Sequence, residues 1–414
     1  MVYPTNKGMD KLIELKWNWA AQNAIVGINA PGFHVQQGQF SRIVNARFFD
    51  ADENGLKTRH IKWLDLLPLN IEDETLTDEF NGIASVIQKK QFGLLSLLLV
   101  KSMVKNDTIA SAHFVGQYTN SKTALYVSNF TQPIAASGKV TVKGDVFLSS
   151  DRVRETYINN KPNQINIQNP IKSSTINLPE ISKRCETVFN SIPTQKVILN
   201  ALEKKNDSLY VNSFFNETKE IQVVNNRLEN IIIKGNFVIR SSDSLVVSKS
   251  AKLEDVILLA PKVILQEGFE GTIQVFATEK IHVDKKVQLN YPSAICVKNN
   301  GDKEGLIFID EESKIDGAVL MFGNDLLHIE KNSIVIKDKS QIRGTVYSSG
   351  NSSINGKVYG AVYTAKLLYK TISSSYANCL ADVEIDVNKR PNYFIEVPIF
   401  ETKANRYGVV KKIL

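Results

Sequence analysis

Apolar and polar residues alternate along much of the chain. The alternation repeatedly centres on a glycine, in the order apolar, any residue, Gly, any residue, apolar, as at 142–146, 233–237, 269–273, 315–319, 342–346 and 354–358. The centres are Gly144, Gly235, Gly271, Gly317, Gly344 and Gly356. In an extended strand this spacing puts both flanking apolar side chains on one face, while the glycine permits a tight corner or a close backbone approach. Repeated at short, irregular intervals, the unit reads as a rung edge of a β-solenoid. From residue 228 onward short alternating strands follow one another at 231–233, 237–239, 245–247, 256–259, 263–265, 273–276 and 281–283. Equivalent strands recur every ~16 to 27 residues, a period that suits the turns of a parallel β-helix with variable corners.

Other patterns mark the remaining parts. Residues 11–26 predict a helix with Leu12, Leu15 and Trp19 on one side, ended by Gly27 and the breakers Pro31 and Gly32. Residues 41–49 and 56–64 read as a β-hairpin, and 84–88, 92–101 and 110–115 as further strands. Between 149 and 226 the repeat gives way to a polar segment punctuated by Pro162, Pro170, Pro179 and Pro193. The expected fold is therefore mostly β: a right-handed parallel β-helix (β-solenoid) with a β-rich N-terminal module carrying one helix. The divisions are 1–120 for that module, 121–148 for the first solenoid strands, 149–226 for an insertion or crossover, 227–379 for the β-helix and 380–414 for a C-terminal cap. A cap is expected because an open terminal rung is an unpaired strand edge.

Composition narrows the function classes. The 414 residues are 43% hydrophobic and 22% charged, with a net charge of +7 spread among both signs. Lys and Arg form no stripe, so nucleic acid is not an expected partner, whereas a pI near 9.0 suits an acidic polysaccharide or membrane surface. Cys185, Cys296 and Cys379 lie far apart without disulfide or zinc spacing and read as buried small hydrophobes. The apolar stretch 97–100, within the run 92–100, is far shorter than the ~18 residues of a membrane span. Residues 1–10 lack the apolar region of a signal peptide.

Candidate chemistry is sparse. Asp50, Asp52, Asn54 and Gly55 match the first positions of a calcium loop, but Ile61 stands where a bidentate Glu belongs, so an Asx-rich turn is the better reading. A polysaccharide-degrading β-helix needs clustered carboxylates, yet Asp284, Asp310, Glu311, Glu312 and Asp316 do not recur from rung to rung. The five histidines are isolated; His282 and His328 are expected to point outward from strands. Tyr347, Tyr359, Tyr363 and Tyr369 would form an aromatic ladder if their rungs stack in register. Such a ladder is either a binding surface for sugar or protein or, as the favoured reading, is packed under the C-terminal segment. No motif calls for a cofactor.

Four stretches, 253–261, 268–278, 289–293 and 358–363, resemble an uncharacterised family of envelope proteins from Bacteroidota-type bacteria, and the glycine-and-valine rungs look like those of bactofilins. The first resemblance covers residues 85 to 400 and implies an exported β-helix held by an N-terminal membrane anchor that this chain does not contain. The expected function is a noncatalytic scaffold or adhesion-type protein of the bacterial cell envelope, in a surface or pilus-like assembly. Its partner is an envelope protein or a polysaccharide, and it meets the membrane only through that anchor; with an anchor ahead of these residues the expected location is periplasmic or surface-exposed, and otherwise cytoplasmic. The alternatives are a polysaccharide-binding or polysaccharide-degrading β-helix and a bactofilin-like filament.

Overall fold

The computed structural model describes residues 74–413 apart from 81–82, 105–106, 118–120, 159–161, 169, 190–194, 199–207, 224, 300–302, 324–325, 392–393 and 401–406. The helix at 11–26 and the hairpin at 41–64, with Asp50, Asp52 and Asn54, lie outside the described residues. The chain divides into two units, residues 1–119 with 402–414, and residues 120–401.

In the first unit Glu74–Phe80, Ile83–Phe92, Leu95–Val104 and Asp107–Gln117 form an antiparallel meander, and Tyr407–Ile413 adds antiparallel to its last strand. Ile87, Leu98, Val100 and Val115 make its buried cluster, joined by Val409. The run 92–101 is not one strand: Gly93, at φ +60°, turns the chain into a hairpin. Residues 407–413 therefore belong to this sheet and not to a cap on the repeats.

The second unit is mostly β, and its parallel strands close into a ring. Backbone register aligns inward residues into continuous columns. One runs Tyr210, Ile233, Leu253, Gly271, Leu289, Ile315, Ile342, Val358, Ile385, Val142, Ile167. A second runs Ile221, Ile239, Leu258, Val275, Ile295, Val319, Val346, Val362, Leu125, Val146, Ile171. A third joins Leu228, Val247, Leu265, Val283, Ile309, Ile336 and Ile354. Burial of these β-branched and leucine side chains against one another is the main force holding the stack.

The order of those columns corrects the sequence-derived order in one respect. Strands 123–148 do not precede the repeats from 227 onward; they pair beyond the last of them, Val362 with Leu125 and Ile385 with Val142. The segment after Ser173 then crosses back over the outside of the stack. Thr175 bonds the Tyr126 hydroxyl, Pro179 O accepts from the Tyr347 hydroxyl at 3.3 Å, and Phe189 lies edge-on to Phe276 and Phe322. A short helix, α1 (Lys183–Thr187), capped by the Ser182 side chain, sits midway along this crossing. A second strap, residues 394–400, lies beside the first: Ser182 N donates to Ile399 O at 2.8 Å.

The glycine motif also acts differently from the expectation. Ile315 and Val319, Ile342 and Val346, and Val142 and Val146 each fall in two different columns, so the motif turns a corner between faces and does not lie along one face. Gly317, Gly344 and Gly360 stack at that corner. Gly344 shows why no side chain fits: its φ is +138°, and a Cβ there would stand 2.0 Å from Gly317 O.

Candidate functional site

The strand 135–143 places Val140 and Val142 inward and Lys139, Thr141 and Lys143 outward, by simple alternation. Because this strand pairs with Cys379–Asp386, its outward residues meet those of the last repeats: Lys357, Glu384, Thr141 and Asn166 stand in register on successive strands. Together with Lys339, Asn355, Gly356, Asp382, Val383 and Lys389 they line an open groove of about 590 Å³. Five lysines face two carboxylates there.

Glu384 is shared between Lys357, at 3.9 Å, and Lys389. The Lys389 ammonium also lies 5.1 Å from the centre of the Tyr359 ring, and its pKa is raised first by the hydrogen bond to Glu384. Asp382 accepts a hydrogen bond from Lys139 N at 3.0 Å. Lys339 reaches Glu312 at 3.5 Å across exposed surface, a weak pair. Lys139 and Lys143 are exposed and make no ion pair among the described residues. The groove thus keeps uncompensated positive charge.

The adjoining outward positions are self-neutralised. Lys234 pairs with Glu254 at 2.8 Å, and Arg343 makes a two-pronged contact with Asp316 from the next strand. In-register parallel strands put equivalent side chains ~4.8 Å apart, where like charges repel, so alternating signs satisfy neighbouring strands. The other carboxylates singled out in the sequence are likewise held: Asp284 by His282 at 3.0 Å, Glu311 by Lys285 at 3.1 Å, and Asp310 by the backbone of Glu311. His282 stacks on Phe308 with ring centroids 4.8 Å apart. His328 lies in a 3₁₀ turn, Leu326–Lys331, not in a strand.

The four tyrosines do not form one ladder. Tyr347 and Tyr363 stand in register, continued by Tyr126 and Phe147, but both are buried under the straps, where Phe400 packs edge-on to each. Burial pushes the Tyr347 phenol well up from its ordinary pKa. Tyr359 occupies a different column, beside Arg343, and borders the lysine groove. Tyr369 faces Tyr376 across the turn to Ser375–Ala377. The strap that covers Tyr363 is fastened by a largely buried Arg390–Glu396 ion pair.

The three cysteines are free and buried. Burial raises Cys185 to about 12 and Cys379 to about 11, so neither is a thiolate nucleophile at neutral pH. Among the described residues no cluster of His, Cys, Asp and Glu is arranged to hold a metal, and no helix is long and apolar enough to cross a membrane.

Sequence reasoning missed the groove because its lysines come from 139–143, 339, 357 and 389. The local signal, Lys-Val-Thr-Val-Lys at 139–143, marks one basic outward edge; only the strand order shows what it faces. In comparisons with known protein families, curated proteins and solved structures, nothing matches this chain. Fold and groove together describe a β-rich protein with a basic surface cleft.

Proposed function

We propose that the chain is a noncatalytic scaffold of the bacterial cell envelope, adhesion-type in character, which holds side chains at fixed strand spacing for a partner. On this reading the stack is a right-handed parallel β-helix, the hand that parallel crossover connections overwhelmingly adopt. The observation carrying it is the state of the carboxylates: Glu311, Glu312, Asp316 and Glu384 are each paired with a lysine or arginine, and Asp284 with the His282 imidazole. No pair of them stands free across a cleft as general acid and base. The envelope location rests on the family resemblance of 253–261, 268–278, 289–293 and 358–363.

The test combines fractionation of the native cells with a turnover assay. The chain is expected in the envelope fraction, and a panel of acidic and neutral polysaccharides incubated with it should show no new reducing ends and no loss of chain length. Cleavage of any of them, or recovery of the chain from the cytosol alone, overturns the proposal.

A second reading, end-to-end assembly, is favoured by one of the end strands of the stack. Ser208–Asn212 pairs only with Ile231–Gly235 among the described residues, and Leu209 and Val211 on it are 60% and 51% exposed. Sedimentation across a hundredfold concentration range distinguishes it: a growing series of species supports assembly, and a constant mass rejects it.

A further inference from the structure

We infer that the lysine groove binds an extended carboxylated polysaccharide lying across the strands. This rests on the scaffold reading and specifies what the scaffold holds. The groove crosses the four strands that carry Lys357, Glu384, Thr141 and Asn166, so at ~4.8 Å per strand its floor is about 14 Å long, with Lys339 at one end in the turn before Gln341. A regular polymer spanning it meets a polar side chain at every strand.

The kind of polymer follows from the lining. Lys139 and Lys143 offer ammonium groups with no ion-pair partner among the described residues, and Lys357 and Lys389 share the single carboxylate of Glu384. Lysine is a compact point charge, suited to isolated carboxylates along a chain. Between the lysines stand Thr141, Asn166 and Asn355, which both donate and accept hydrogen bonds, as a polyhydroxylated ligand requires.

Nucleic acid fits less well. The lining contains no arginine and no aromatic ring, and the one ring at its border, Tyr359, is already covered by the Lys389 ammonium. Single-strand binding relies on stacking platforms, which the lining does not supply.

The experiment is isothermal titration of the full chain with polygalacturonate, with dextran as a neutral glycan and oligo-dT as a nucleic acid. Two double variants of equal charge change accompany it: Lys139→Glu with Lys143→Glu in the groove, and Lys249→Glu with Lys370→Glu outside it. The expected result is binding of polygalacturonate that weakens as salt rises, about tenfold or more weaker in the groove variant and within about twofold of the parent in the control. Equal weakening by both variants, tighter binding of oligo-dT, equal binding of dextran, or no binding of polygalacturonate overturns the inference. None of those outcomes touches the scaffold reading, which fails instead on turnover or location.

Discussion

Two outward faces of the same stack have opposite fates. Along the face that carries Tyr347 and Tyr363, outward residues are aromatic or apolar, and two straps from distant parts of the chain cover them. Along the face that carries Lys143, Lys357 and Glu384, outward residues are charged and stay open. The inward columns under both are alike, so the repeat itself does not decide which face is structural. That decision lies in the outward positions: rings that leave apolar area in water recruit a cover, and ammonium groups that are well solvated do not.

Variants separate the two faces, and the largest effect belongs to the corner that joins them. Gly344→Val forces a side chain into a left-handed backbone and against Gly317 O, and is expected to cost about 4 kcal/mol or to prevent folding. Urea unfolding, or loss of soluble chain, reads the outcome; an unchanged midpoint would mean that the corner is not where the strands approach. Tyr363→Ala should cost about 3 kcal/mol by the same measurement, because it opens space beneath Phe400 and beside Arg390, while Tyr359→Ala on the open face should cost less than about 1 kcal/mol. Equal costs for the two tyrosines would erase the distinction between the faces.

The covered face should also be sensitive to alkali. The Cys185 thiol is neutral in the folded chain until about pH 12, whereas in the unfolded chain it ionises near its ordinary value of 9.0. Its contribution to stability is therefore complete below pH 9 and is lost as pH rises towards 12. Subtracting the pH profile of Cys185→Ala from that of the parent should leave a fall in this window, and a flat difference would place the thiol in water. The smallest effect is expected on the open face: Lys143→Glu should shift stability by no more than about 0.5 kcal/mol, since no ion pair is lost.

Much of the covered core was legible in the sequence, and the groove was not. Alternation at 315–319 and 342–346 marks inward residues correctly because a half-buried strand repeats every second residue. The same alternation misled at the glycines, since a corner at positive φ preserves the spacing while sending Ile342 and Val346 to different faces. The tyrosine reading was split for a similar reason: Tyr347 and Tyr363 fall on equivalent positions of successive strands, and Tyr359 and Tyr369 do not. Strand order is a matter of long-range pairing, and nothing in residues 123–148 states that their neighbours lie more than two hundred positions away.

That long-range pairing is the central claim, because both the straps and the groove depend on it, and a cross-link tests it most directly. Thr141 and Glu384 are register partners on adjacent parallel strands, ~4.8 Å apart and within reach of a disulfide. The double variant Thr141→Cys, Glu384→Cys should form an intramolecular disulfide on mild oxidation, seen as a mobility shift that reductant removes and as a linked 141–384 peptide after proteolysis. The native cysteines are buried and stay out of the reaction. Failure to form that link, with both introduced thiols reacting freely with reagent in the folded chain, would contradict the out-of-order stacking and dissolve the groove with it.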